Sequence, residues 1–246
     1  MMLSLRRLDV NRFFQTWKHG YEVRELALDN PVYAALTSRH RGIALAYGGA
    51  CRYPFELGRF AGLESPRAFP DLLRLVEPEG TVAFFTSERL DLPGEWEPLR
   101  ERRMIEQMIA TQRPEPPRHD HVVLGDDDVP EMLELAAATE PGPFFARTIE
   151  LGLYLGIRDG GRLVAMAGER MLLDDYTEIS AVCTAPSHQG RGYGRSLMAA
   201  LMHKILDEGR QPFLHVKQEN GARLLYERLG FSTSRHLHLT LVRRAQ

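Results

Sequence analysis

The stretch from Glu178 to Met202, EISAVCTAPSHQGRGYGRSLMAALM, constrains the fold of this chain more than any other. It reads as a strand, a break, a glycine-rich loop and a helix. Glu178 to Thr184 is a short apolar-rich run closed by Pro186, because proline has no N–H to give to a strand ladder. Gly190, Gly192 and Gly194 then alternate with Arg191 and Tyr193. Glycine tolerates the angles of a sharp turn and lets backbone N–H groups come close to a ligand. Leu197, Met198, Leu201, Met202 and Ile205 follow on one helical face. Free N–H groups at a helix start attract an anion, with about 0.3–1 kcal/mol per charge from the helix dipole. An α/β fold with an anionic ligand at this joint is therefore predicted.

Two common phosphate loops do not fit. A P-loop needs Gly-Lys-Ser/Thr, whereas Gly194 is followed by Arg195-Ser196. A dinucleotide fingerprint needs G-x-G-x-x-G, and the register here is G-x-G-x-G. On the glycines alone, a tight turn without a ligand stays open.

A second block, Asn220-Gly-Ala-Arg-Leu-Leu-Tyr226-Glu-Arg-Leu-Gly230-Phe231, narrows the choice. Together the two blocks resemble the GNAT superfamily of N-acetyltransferases. Gln189, Gly192 and Gly194 take the places of its Gln/Arg-x-x-Gly-x-Gly/Ala signature, and the second block resembles N-x-x-A-x-x-L-Y-x-x-x-G-F. The likeness covers roughly Val122 to Arg243. One departure is that Asn220 lies two residues before Ala222, where the family usually has three.

The resemblance implies acetyl-CoA, or a short acyl-CoA, as co-substrate and no metal. The pyrophosphate is then expected on the backbone of Gly190, Arg191, Gly192, Tyr193, Gly194 and Arg195, beside Gln189. The pantetheine is expected along Val182, Cys183 and Thr184, with Asn220 as a further contact. A Cβ at Gly192 or Gly194 would obstruct that approach. Glu178, at the start of the strand, is the expected general base, with Glu169 or water as the alternative. An ordinary glutamate titrates near 4.3, so either needs burial or a water relay to work near neutrality. Tyr226 is the expected general acid toward the leaving thiolate. Cys183 is not read as a nucleophile, since strand alternation turns it to the face opposite Glu178. Arg147 suits a surface salt bridge, and His236 and His238 lack a third metal ligand at plausible spacing.

The chain of 246 residues is 43% hydrophobic and 26% charged, ordinary for a globular protein, and its net charge of −2 gives no nucleic-acid surface. It has no run long enough to span a bilayer and no secretory h-region at MMLSLRRLDV. Cys51 and Cys183 are too few for a disulfide framework and suit a reducing, cytoplasmic setting. The expected partner is an amine-bearing small molecule or peptide, with no membrane or nucleic acid; a homodimer is left open. A non-catalytic acyl-CoA-binding module is the rival reading.

In chain order, Asn30-Pro31 reads as a turn or helix start, Gly48-Gly49 breaks a short apolar run, and Thr81–Thr86 is a strand. Leu99 to Ala110 is ambiguous between a helix and a loop leading to a strand. Pro114-Glu-Pro-Pro117 is the linker candidate, which divides the chain into 1–116 and 117–246. Beyond it we expect a strand at His121–Leu124 and a capping-box-like Asp128/Glu131 before a Met132, Leu135, Ala136 stripe. Thr148 to Leu155 is strand or short helix. Next come a hairpin at Asp159-Gly-Gly161, a strand at Pro212–Val216, a helix at Ala222–Leu229 and a half-buried last strand at Leu237, Leu239 and Leu241. The expected fold is α/β with a mixed sheet: a C-terminal GNAT domain in β-α-α-β-β-β-α-β-α-β order behind a smaller accessory α/β domain. By layout alone, that first half resembles the degenerate GNAT-like half of the glycine N-acyltransferase-like branch.

Overall fold

The computed structural model describes residues 26–100, 103–217 and 221–246, so Asn220 and the first 25 residues lie outside the described residues. In order, the elements are α1 (Pro31–Thr37), β1 (Leu45–Tyr47), β2 (Ala50–Arg52), β3 (Ala61–Leu63), α2 (Phe69–Leu72), β4 (Thr81–Thr86), β5 (Trp96–Pro98) and β6 (Arg103–Ala110). They continue with β7 (Val122–Val123), α3 (Val129–Thr139), β8 (Tyr154–Asp159), β9 (Arg162–Leu172), β10 (Tyr176–Thr184), α4 (Tyr193–Asp207), β11 (Gln211–Lys217), α5 (Arg223–Arg228) and β12 (Phe231–Arg244). Strands β1 to β3 make a small sheet. The other nine make one sheet in the order β4-β12-β6-β11-β10-β9-β8-β7, with β5 also paired to β12.

Local chemistry explains most of these boundaries. Asn30 caps α1: its Oδ1 accepts from Tyr33 N at 3.4 Å, while its Nδ2 donates to Leu63 O at 2.8 Å. Asp159 pairs with Arg162 across a two-residue turn in which Gly160 and Gly161 hold φ of 57° and 84°, angles that a side chain resists. Met132, Leu135 and Ala136 are buried as their spacing predicts. The capping box differs: Asp128 Oδ2 accepts from Gly125 N at 2.8 Å, and Glu131 reaches across to Arg158 at 2.6 Å. Arg158 on the neighbouring hairpin outcompetes the local backbone for that carboxylate.

Two open readings are resolved and one is corrected. Of strand or short helix, Thr148–Leu151 takes the short helix, a single 3-10 turn ahead of β8. Of helix or a loop leading to a strand, the segment up to Ala110 takes the second, ending in the eight-residue strand β6. The expected alternation of the last strand fails at Thr240 and Val242. This strand lies between β4 and β6, so Leu237 faces one core while Thr240 and Val242 are equally buried on the other side.

The sheet is covered on both faces. Helix α4 lays Leu197, Met198, Leu201, Met202 and Ile205, all fully buried, on Met108, Ile179 and Leu214. Each such side chain contributes about 1.5–3 kcal/mol by leaving water. Helix α1 covers the other face at Phe85, Tyr176 and Phe213, and α3 covers it at Tyr154, Met166 and Cys183. Strands from both sides of Pro114–Pro117 share the large sheet. β6 inserts between β11 and β12, and β12 returns to pair with β4 and β5.

Candidate active site

The site begins where two parallel strands part. β10 and β11 pair at Tyr176↔Gln211, Thr177↔Pro212 and Glu178↔Phe213, and nowhere beyond. Pro212 withholds an N–H from this short ladder. β10 stays with β9 as far as Thr184↔Ala165, while β11 stays with β6 as far as Lys217↔Ile105. A gap therefore opens between the second halves of β10 and β11.

β10 is also bulged at the mouth of this gap. Ser180 pairs with Gly168 and Cys183 with Met166, so one residue is extra, and Ala181 takes φ of +53°. A non-glycine residue there costs on the order of 1–3 kcal/mol, a strain that collects at functional sites. The bulge also resets the alternation. Cys183 packs with Met166 and Tyr154, on the side where Ser180 and Arg170 line a recess, and not opposite Glu178 as simple alternation predicts. It remains a poor nucleophile: it is buried, and burial pushes its thiol up to about 11.

The glycine loop closes the far end of the gap. Gly190 and Gly192 hold φ of 78° and 84°. An added Cβ would meet nothing within 4 Å at Gly190 and only His119 Nε2, at 3.6 Å, at Gly192. At these two positions the backbone angle calls for glycine, and no protein atom crowds the place of a Cβ. Gly194 is different, since its Cβ would sit 3.7 Å from Thr184 Oγ1 and Val182 Cγ1, over the open end of β10. No side chain caps the start of α4. Gln189 Nε2 donates to Thr184 O at 3.5 Å, and Arg191 Nη1 lies 3.6 Å from Asp159. Tyr193 and Arg195 are half-buried, as are Val182 and Thr184. The segment after Pro117 runs along this loop: Ser196 Oγ accepts from Arg118 N and His119 N at 3.0 and 2.9 Å, and His119 Nε2 donates to Arg191 O at 3.0 Å.

Glu178 sits at the apex of the gap, fully buried. Arg170 donates to it from Nε at 2.8 Å and from Nη2 at 2.5 Å, and His215 Nδ1 donates at 2.6 Å. Gln107 on β6 donates to His215 Nε2 at 3.1 Å, which leaves Nδ1 as the protonated nitrogen. Burial alone would raise the Glu178 carboxyl; Arg170 and His215 outweigh it and hold the group down at about 2. Such a carboxylate is stable as an anion and has little tendency to take a proton. The first half of the chain roofs the cluster: Arg170 lies 4.9 Å from the Phe60 ring centre, and Phe85 stacks on His215 at 4.6 Å. Glu169 faces away, bound to Lys204 Nζ at 2.8 Å and to Leu153 N at 3.0 Å.

Tyr226 lies on α5, buried against Phe231 at 6.3 Å, and burial pushes its phenol up to about 12. Arg147 pairs with Glu150 at 2.5 Å.

The description "FR47-like protein" fits residues 154–239, the span from β8 to β12. A solved structure from Novosphingobium aromaticivorans, described as an acetyltransferase from the GNAT family, is 35% identical to this chain. It superposes with a TM-score of 0.81 over 89% of this chain and 99% of its own. This chain belongs to the GNAT family. Among curated GNAT relatives, the [ribosomal protein bS18]-alanine N-acetyltransferase of Haemophilus influenzae is 31% identical over 32% of this chain and 55% of its own length. The N-alpha-acetyltransferase RimI of Mycobacterium tuberculosis is 35% identical over 40% of this chain and 66% of its own. The chain thus spans less than two thirds of those two proteins.

Within this GNAT fold, reading the sequence missed Arg170 and Tyr154, which come to the site only through the sheet, while His215 reads from the sequence as a structural histidine flanking the cofactor segments. His215 and Glu178 sit on adjacent strands, a proximity that the Pro212–Val216 strand reading contained but did not use.

Proposed function

We propose that this chain transfers an acetyl or short acyl group from acyl-CoA to a primary amine, by direct attack in a ternary complex. The observation that carries this reading is the gap between β10 and β11, bulged at Ala181 and ended by an uncapped glycine loop. In this reading the pyrophosphate lies on the N–H groups of Gly190 to Arg195, beside Gln189. The pantetheine runs along Val182, Cys183 and Thr184, and a bulged N–H at Val182 or Cys183 meets the oxyanion. Residues 117–246 carry this machinery, and the first half supplies β6 and the aromatic roof.

Proton handling follows from the neighbours. Glu178 is held by Arg170 and His215, and Glu169 by Lys204, so the attacking amine gives its proton to water. Glu178 instead fixes the apex from which the strands diverge. Tyr226 protonates the leaving thiolate. Burial disfavours phenolate and thiolate alike, so raising the phenol does not by itself tilt the exchange between them. The Haemophilus relative is named for an alanine of a ribosomal protein, which puts protein N-termini among the amines to test. A cytoplasmic setting belongs to this proposal: Cys51 and Cys183 are free, and no helix among the described residues is long and apolar enough to cross a membrane.

The test is acetyl-CoA binding by calorimetry, followed by release of free CoA thiol with a panel of amines. Gly192→Asp puts a β-carbon at φ +84° and an anion on the loop. We expect it to weaken acetyl-CoA binding about 100-fold, or 2.7 kcal/mol, with the circular dichroism unchanged. Unchanged affinity would refute the cofactor assignment. Acetyl-CoA binding with no thiol release for any amine would leave a non-catalytic binding module.

A further inference from the structure

A small recess opens beside the bulge, walled by Pro141, Phe144, Tyr154, Arg170, Ser180 and Ala181. Its free volume of about 10 Å³ suits one small group such as a single oxygen. Tyr154 is 1% exposed, yet its Oη has no hydrogen-bond partner. A buried hydroxyl left unpaired is costly and calls for an explanation. A second donor borders the recess: Arg170 uses Nε and Nη2 on Glu178, which leaves Nη1. The walls are fixed, because Thr148 Oγ1 donates to Leu57 O at 2.9 Å and the Phe144 ring stands edge-on to Tyr154 at 5.7 Å.

The charge balance narrows the occupant. Glu178 matches the Arg170 guanidinium in a two-pronged contact. The recess thus offers hydrogen-bond donors without net positive charge. A carboxylate would lose its water there with no free cation to meet. An ammonium would bring no acceptor for the tyrosine O–H or the guanidinium N–H. A neutral carbonyl oxygen satisfies both donors at little desolvation cost.

We infer that this recess binds the carbonyl oxygen next to the acceptor's amine, so that the acceptor is an α-amino amide such as a peptide N-terminus. This rests on the acyl-transfer reading above. Ser180 and Ala181 border both the recess and the gap, so an amine two bonds from that carbonyl reaches the thioester.

The experiment measures thiol release at saturating acetyl-CoA. Acceptors are tripeptide amides beginning with alanine, serine or glycine, with free alanine and spermidine alongside. The best tripeptide amide is expected to exceed free alanine and spermidine by about 100-fold or more in kcat/KM, since a site built to hydrogen-bond a group rejects analogues that lack it. Tyr154→Phe removes the unpaired hydroxyl, so its Tm should equal or exceed that of the wild type. Its acetyl-CoA affinity should be unchanged, while KM for the peptide amide rises about 10-fold. Equal or better turnover of alanine or spermidine overturns the inference, as does an unaltered peptide KM in Tyr154→Phe. Calorimetry on the same protein separates the two levels. Failure to bind acetyl-CoA overturns the acyl-transfer reading itself, and binding without turnover of any amine overturns both.

Discussion

The two halves of β10 are one strand in two conditions. From Tyr176 to Ile179 it is buried; β9 pairs on one side, and β11 pairs on the other from Tyr176 to Glu178. From Ser180 to Thr184 it is bulged, unpaired toward β11 and mostly half-exposed. The first half holds a charge where water is absent, and neighbouring strands supply every partner that charge requires. The second half leaves its own hydrogen-bonding capacity open. Stability and reactivity are thus divided along nine residues of one strand, and the division falls at Glu178, where the ladder to β11 stops.

Truncation at the two ends should break this contrast most visibly. Glu178→Ala leaves the Arg170 guanidinium, with a side chain only 13% exposed, without its carboxylate. Urea unfolding should show a loss of about 3–5 kcal/mol, whereas Val182→Ala in the open half should cost about 1 kcal/mol. Equal losses at the two positions would erase the distinction. Next in size is an acid effect. The folded carboxyl of Glu178 is depressed to about 2, so its contribution is full above the ordinary glutamate range and disappears as pH falls from about 4.5 to 2. Over that window the wild type should lose about 3 kcal/mol, given 1.36 kcal/mol per unit. Glu178→Gln should lack this component of acid unfolding, and a parallel pH profile for the two proteins would contradict it.

Tyr226→Phe probes the open side. Its ring packing and Tm should persist, with kcat about 10²-fold lower and acetyl-CoA affinity unchanged. Full kcat with the best acceptor would move the acid to another group or to water. The smallest effect carries the sharpest sign. Gly194 lies in the first turn of α4, where an added methyl makes only ordinary 3.7 Å contacts. Gly194→Ala should raise stability by up to about 1 kcal/mol through helix propensity, yet weaken acetyl-CoA binding several-fold by filling the mouth of the gap. A stabilised variant with unchanged affinity would show that the cofactor passes elsewhere.

The linear chain displayed what is local. The glycine loop, the buried stripe of α4, the Gly160-Gly161 hairpin and the strand Thr81–Thr86 all follow from residues near one another in sequence. The bulge at Ala181 was not legible, because alanine gives no sign of φ +53° and only the pairing with β9 forces it. Arg170, Glu178 and His215 come from three strands, and Gln107 from a fourth in the first half of the chain. No spacing rule connects them. Thr240 reads as a solvent-facing partner of Leu239 and Leu241, until β4 and β6 flank its strand and both faces close.

The seat of β6 between β11 and β12 sets an order of assembly. β6 is synthesised before β11, then waits through β7 to β10 and α4 for its first neighbour and longer still for its second. Until β12 emerges, β4 and β6 lack the strand that joins them, and each presents unpaired backbone that invites foreign strands. Pairing across more than a hundred residues is slow, because closing so long a loop precedes any reward. Phe213 meets Ile109, and Leu241 meets Ala83, only after that wait. On the ribosome, the nascent chain is therefore most vulnerable to aggregation between the emergence of β6 and that of β12.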